Sequence, residues 1–133
     1  MAYEKIGATD TDILSTGIRQ YRFVRLSSTG ISYPSGSTVG KAVLGVLISS
    51  GSTSSTSVDR VGTVQIDGIA KVEATASTLS VGDIVSASSV GQAQPATNVG
   101  DFIVGRIVAG SSGANLRILS IALQPLGSTV IAT

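Results

Sequence analysis

The second half of the chain, residues 61–124, is a series of apolar runs only a few residues long, each ended by a glycine-containing turn. The runs are rich in Val and Ile, and Asp-Gly, Val-Gly and Ser-Gly pairs separate them. Short β-branched runs bounded by such turns are typical of β-strands in a compact barrel or sandwich. No segment has a convincing helical pattern; the nearest candidate, residues 11–18, is weak.

The same alternation of short apolar runs and turns continues through most of the chain. It predicts about seven or eight short antiparallel strands at near 10-residue spacing. The expected strands are residues 19–26, 41–48, 61–66, 69–74, 84–87, 102–109 and 116–123, with a turn and a short strand at 90–93 that stops before Pro95. The run at 41–48 could also be a short buried helix, but Gly45 and its β-branched residues favour a strand. We therefore predict an all-β fold, a small β-barrel or β-sandwich with an extended N-terminal arm.

Particular residues in these runs carry more detailed predictions. Alternation in residues 19–26 directs Tyr21 and Phe23 toward the core. Asp67-Gly68 predicts a two-residue hairpin between the strands on either side, because that turn requires positive φ. Gly105 lies inside a predicted strand, where glycine often marks a bulge or a close backbone approach.

The domain organisation predicted from the sequence is simple. Residues 1–18 form an arm with at most one short strand, residues 19–125 form the β domain, and residues 126–133 form a C-terminal tail. The chain start has neither the basic nor the apolar region of a signal peptide, so synthesis in a host cytoplasm is expected. The longest apolar run, residues 42–48, is too short to span a membrane, and no membrane partner is predicted.

The composition excludes several kinds of chemistry. The 133 residues include no Cys, no His and no Trp, so thiolate sites, Ser-His-Asp triads and histidine metal sites cannot form. Charged residues are 13% of the chain and the net charge is +1, which gives too weak a basic field for nucleic acid. No cofactor, metal site or catalytic site is predicted, and the chain is not expected to be an enzyme.

The carboxylates are the remaining candidates for catalysis or metal binding. A glycosidase needs two carboxylates facing one cleft. However, Asp67, Asp83 and Asp101 each adjoin a glycine, where Asp usually caps a turn. The pair Asp10 and Asp12 lacks the glycine and the distal glutamate of a calcium-binding loop.

Contact with other chains is the expected mode of action, because sparse charge and a 42% hydrophobic composition give little protection against association. Arg19, Arg22 and Arg25 form the one local basic cluster, which either pairs with a partner's carboxylates or lies at solvated strand edges. The arm adds scattered apolar residues that could reach a neighbour by strand addition. The predicted interface residues are Tyr3, Ile6, Ile13, Leu14, Arg19, Arg22 and Arg25.

The order of motifs in residues 45–125 resembles that of the tailed-phage capsid decoration, or cement, proteins. The motifs are residues 68–72 (GIAKV), 81–85 (VGDIV), 91–93 (GQA) and 104–107 (VGRI). The resemblance implies a homotrimer on the outer surface of the expanded virion head, bound to the major capsid protein and stabilising the shell against internal DNA pressure.

Three alternatives remain at this point. A head fibre or tail domain would share the same assembly physics. A lipoyl- or biotinyl-like module also contains a V-G-D-I-V segment after a hairpin, but it needs a modified lysine at a turn, and Lys71 lies inside a predicted strand. An enzyme such as a glycosidase fits least, because no aromatic platform for sugar is apparent.

Overall fold

The computed structural model describes residues 4–6, 9–14, 18–27, 30–34, 43–49, 60–75, 78–97, 99, 101–110 and 117–124. Within these ranges every regular element is a β-strand, and the eleven strands form two sheets. The prediction of an all-β barrel or sandwich is therefore confirmed. The described residues include no helix with the length and hydropathy needed to cross a membrane.

One sheet closes into a small barrel of five strands in the order β2-β4-β3-β5-β6. These strands are β2 (Thr9–Leu14), β3 (Phe23–Ser27), β4 (Gly30–Ser32), β5 (Val43–Ser49) and β6 (Arg60–Gln65). β6 pairs antiparallel with β2 from Thr9 to Leu14, and a short parallel pairing of β2 with β4 completes the circle. Each of the five described strands therefore pairs with two neighbours, although β2 and β4 pair only at Leu14 and Ile31.

The other sheet has six antiparallel strands in the order β1-β7-β11-β10-β8-β9. Its strands are β1 (Lys5–Ile6), β7 (Gly68–Glu73), β8 (Ile84–Ala87), β9 (Ala93–Pro95), β10 (Gly105–Ala109) and β11 (Ile118–Leu123). The predicted strand at 84–87 is found with the same bounds. β10 and β11, which lie within the predicted strands 102–109 and 116–123, pair antiparallel, and the connecting residues 111–116 lie outside the described part.

The predicted hairpin at Asp67-Gly68 is wrong in its pairing. β6 pairs with β2 and β5, whereas β7 pairs with β1 and β11, so the turn carries the chain from the barrel to the six-stranded sheet. Gly68 has the expected positive φ of 86°. Gln65 supports the corner, because its Nε2 donates to the backbone oxygens of Asp67 (2.8 Å) and Ile69 (3.1 Å). A positive-φ glycine marks a tight turn without fixing which strands pair.

The N-terminal segment contains more strand than predicted. Instead of at most one short strand it has two, and β2 spans Thr9–Leu14 and closes the barrel. The polar sequence TDTDIL concealed this strand, because its pairing depends on distant β6. Whether residues 1–18 also reach a partner stays a prediction; residues 1–3 and 125–133, which include the predicted tail at 126–133, lie outside the described residues.

Two hydrophobic cores share a wall made of β3 and β5. Phe23 and Val46 pack into the larger core, while their neighbours Val24 and Leu47 pack into the barrel core, and none of the four is exposed. Successive side chains on a strand point to opposite faces, so both faces of this wall are buried. The larger core consists of Phe23, Val46, Ala70, Val72, Ala74, Leu79, Val85, Ala87, Ala93, Val104, Ile107, Leu119 and Ile121.

The outcome for Tyr21 and Phe23 is mixed. Phe23 is fully buried, as predicted. Tyr21 is only half-buried and precedes β3 in a left-handed conformation with φ of 65°. The strand begins at Phe23 rather than at Arg19, so the predicted alternation does not extend back to Tyr21.

Gly105 shows the close approach predicted for it. A Cβ atom at this position would lie 2.5 Å from the backbone oxygen of Ala122 and 2.5 Å from Cγ2 of Ile121. The β-bulge of β10 lies further along, between Ile107 and Ala109. The glycine therefore allows β10 and β11 to pack at a distance that no side chain permits.

Candidate interaction surface

A buried ion pair joins the two sheets. Arg22 donates from Nε to Oε2 of Glu73 at 2.8 Å and from Nη1 to the backbone oxygen of Val90 at 2.9 Å. The side chains of Arg22 and Glu73 are only 6% and 11% exposed. Arg22 precedes β3, Glu73 ends β7 and Val90 lies in the β8–β9 turn, so one guanidinium connects three elements. Such charge-assisted bonds are stronger than neutral ones.

Arg19 reaches the other oxygen of the same carboxylate. Its Nη2 lies 3.5 Å from Oε1 of Glu73, and its side chain is 56% exposed. The left-handed Tyr21 makes this convergence possible, since its N–H donates to Leu47 O and its own backbone oxygen accepts from the N–H of Glu73, both at 2.8 Å. The predicted strand at 19–26 would direct Arg19 and Arg22 to opposite faces, and this prediction is wrong because residues 20–22 form a turn and the strand begins at Phe23.

Tyr33, directly after β4, contacts all three arginines, Arg19, Arg22 and Arg25. Its hydroxyl oxygen accepts from the backbone N–H of Arg19 at 2.9 Å, and its backbone oxygen accepts from Nε of Arg25 at 3.0 Å. The guanidinium carbon of Arg22 lies 6.0 Å from the centroid of the ring. Gly91 packs so closely that a Cβ there would lie 3.1 Å from Cδ1 of Tyr33.

We call the group of Arg19, Arg25, Tyr33 and Val90 the Tyr33 surface. Val90 is 45% exposed, Arg25 and Tyr33 are half-buried, and Arg19 is exposed. With Arg22 beneath it, the surface contains three guanidinium groups: those of Arg22 and Arg19 pair with the carboxylate of Glu73, and that of Arg25 is bonded to Tyr33 O. The side chains of Arg19, Arg22, Arg25 and Glu73 together carry an excess of two positive charges, whereas the whole chain has a net charge of +1.

A second exposed region lies at the turn into β8. Val81 is 61% exposed, and its turn is held by Asp83, whose Oδ2 accepts from the N–H of Ser80 at 2.9 Å. Gly82 has φ of 97°, and Arg106 donates from Nη1 to its backbone oxygen at 3.0 Å. The predicted turn-capping role is thus confirmed for Asp83. Sequence reasoning missed the exposure of Val81, although an apolar residue before the glycine of a tight turn was the available signal.

The other predicted interface residues are placed less completely. The backbone of Ile6 is part of β1, and the backbone of Ile13 and Leu14 is part of β2. The structure does not describe the side chains of these three residues. Tyr3 lies outside the described residues. Arg22 is not a solvated strand-edge residue, because it is buried and bonded within the chain.

The structure describes the lysine considered for covalent modification, Lys71, and the carboxylate of Glu73. Lys71 is half-buried in the middle of β7, level with Ser120 of β11. Glu73 is neutralised by two arginines. Across the described part of the chain, no three or more Asp or Glu side chains come together as a metal site would require.

The chain was also compared with known proteins. No family model, curated protein or solved structure matches it. Function is therefore inferred from the residues of this chain and from the order of its motifs.

Proposed function

We propose that the chain is a capsid decoration protein, a structural virion protein that binds the outer surface of the expanded phage head. It acts as a homotrimer on the major capsid protein and stabilises the shell against internal DNA pressure. The observation that carries the proposal is that the four motifs of the resemblance lie in one sheet and contribute to one core.

Each of the four motifs corresponds to a strand or turn of the six-stranded sheet. Residues 68–72 lie in β7, residues 81–85 form the turn into β8, residues 91–93 lead from the β8–β9 turn into β9, and residues 104–107 lead into β10. Their buried apolar side chains belong to the larger core: Ala70, Val72, Val85, Ala93, Val104 and Ile107. Motifs made of turns and core positions are expected to form one packed unit when the resemblance is structural, which supports the proposal.

The β9 edge of the six-stranded sheet favours binding through side chains. The N–H of Ser88 donates to Gln92 O, and the N–H of Ala96 donates to Ile84 O, so these positions of the β9 segment bond toward β8. The backbone groups of the alternate positions, Ala93 and Pro95, therefore face outward at the edge. The oxygen of Ala93 accepts from the N–H of Thr75, and proline has no N–H to donate. Strand addition is therefore opposed at β9, and shell contacts are assigned to exposed side chains and to the N-terminal segment.

The test is co-sedimentation of the purified protein with expanded and unexpanded empty heads of the parent phage. We expect binding to expanded heads alone, with saturation, and heads already saturated with unlabelled protein serve as the control. Deleting residues 2–18 is a poor test, because it removes β2 and opens the barrel. A strictly monomeric protein that sediments with neither form of the head would refute the proposal.

The alternatives lead to different observations. A head fibre or tail protein would be found away from the shell surface by cryo-electron microscopy of the parent particle. A lipoyl- or biotinyl-like module needs an exposed lysine at a hairpin, whereas Lys71 is half-buried inside a strand. An intact mass that includes an acyl or biotinyl group on Lys71 would favour that module over a decoration protein.

A further inference from the structure

We infer that the Tyr33 surface is a docking site for an acidic segment of a partner protein, one with carboxylates next to apolar side chains. The inference rests on the proposed function only for the identity of the partner, which would then be a protein of the phage head. The docking chemistry itself follows from the charges, bonds and exposure of the residues around Tyr33.

The charge distribution leaves two guanidinium groups for a partner. Arg22 holds Glu73 through the shorter, buried contact of 2.8 Å, whereas Arg19 lies 3.5 Å away and is 56% exposed. Arg19 can therefore turn to an external carboxylate while Glu73 stays neutralised. Arg25 uses Nε to bind Tyr33 O at 3.0 Å, which orients its guanidinium and leaves the two Nη groups for other acceptors. This orientation suits bidentate binding of a carboxylate.

The surface is also preorganised. Bonds from Arg19 and Arg25 fix Tyr33 at both its hydroxyl and its backbone oxygen, and Gly91 packs against its ring. Tyr33 therefore loses little conformational entropy when a partner binds. Arg and Tyr are the residue types that most often dominate binding energy at protein interfaces, and the half-exposed Val90 provides an adjacent apolar contact.

The same features favour an acidic protein over other occupants. Nucleic acid needs several phosphate contacts and exposed rings for base stacking, whereas this surface offers two guanidinium groups and a ring that packs against Gly91. A second Tyr33 surface cannot serve as the occupant, because its own carboxylate, Glu73, is 11% exposed and already paired with arginine. Two copies would bring like charges together.

The experiment is an NMR titration of the ¹⁵N-labelled full chain with a short synthetic peptide of glutamates and leucines. The control peptide has glutamine in place of every glutamate, and a thymidine oligonucleotide tests nucleic acid. We expect the acidic peptide to shift the amide signals of Arg19, Arg25, Tyr33 and Val90, with an affinity that falls as salt rises.

Two double variants and one matched control locate the binding. Arg19→Gln with Arg25→Gln removes the charges, and Arg19→Glu with Arg25→Glu reverses them; we expect affinity to fall at least about tenfold in the reversed variant and less in the neutral one. Arg117→Glu changes the charge of another exposed arginine, next to β11, and should leave affinity within about twofold. Urea unfolding checks that each variant is folded.

Three results would overturn the inference: equal binding of the glutamine peptide, unchanged affinity in both double variants, or tighter binding of the oligonucleotide. Binding of wild type to expanded heads is measured in parallel. Heads that bind while the acidic peptide shifts no signal at the Tyr33 surface would refute the docking site and leave the decoration role in place. The opposite pattern would support the docking site and refute the decoration role.

Discussion

Replacing Glu73 by leucine removes the carboxylate that Arg22 and Arg19 share. Arg22 would keep its bond to Val90 O but would lose the 2.8 Å bond from its Nε to the carboxylate. Because only 6% of its side chain is exposed, water could not replace the lost partner. Breaking a buried ion pair by removing one partner costs about 3–5 kcal/mol. Because the contact with Val90 remains, we expect Glu73→Leu to lower the free energy of unfolding by about 3 kcal/mol.

The opposite substitution should cost less. Arg22→Met leaves Glu73 with Arg19 at 3.5 Å and with a side chain that is 11% exposed, so the carboxylate stays partly compensated. We expect a loss of about 2 kcal/mol, which includes the bond to Val90 O. Substituting both residues replaces the pair by apolar side chains, and this change is often close to neutral. The double variant should therefore be more stable than the sum of the single losses predicts.

The assay is urea unfolding followed by far-UV circular dichroism and tyrosine fluorescence, since the chain has no tryptophan. The four proteins form a double-mutant cycle, and an unchanged slope with urea shows that the denatured state is comparable. Arg19→Ala is the control for an exposed contact and should cost under about 1 kcal/mol. A loss below about 1 kcal/mol for Glu73→Leu, or additive losses in the double variant, would show that the pair does not join the sheets as argued.

Two further pairs of substitutions test the packing by the same urea assay. Gly91→Ala puts a Cβ 2.3 Å from Phe23 O at φ of 78°, so we expect a loss of about 3 kcal/mol or more; Gly82→Ala has φ of 97° and open space, and should lose only about 1–2 kcal/mol. Phe23→Ala leaves a cavity between the two sheets and should cost about 3–5 kcal/mol, whereas Leu26→Ala, at a side chain 46% exposed, should cost under about 1 kcal/mol. Equal losses within either pair would contradict the packing described.

Local features of the fold could be predicted from the sequence. The run at 84–87 is a strand with those bounds, and the turn before it is capped by Asp83, because short-range backbone preferences determine both. The fold class also follows from the spacing of apolar runs and turns. In each case the deciding interactions lie within a few residues along the chain.

Features that depend on distant residues could not be predicted in this way. Asp67-Gly68 has the right turn residues, yet the partners of the flanking strands lie elsewhere in the chain. The arginine cluster was recognised, but its carboxylate, Glu73, is 51 residues from Arg22. No local pattern shows that one arginine is buried while another stays exposed, since the turn at Tyr21 creates that difference.

The wall formed by β3 and β5 has a consequence for how the molecule gains its structure. The six-stranded sheet has no complete core of its own, because Phe23 and Val46 belong to barrel strands yet fill its core. Without that sheet, both of these side chains would be exposed on the barrel. Fragments cut at the corner between β6 and β7 should each misfold when expressed alone and recover only when mixed. The two halves would then melt as one cooperative unit, with no half-folded species for proteases to attack.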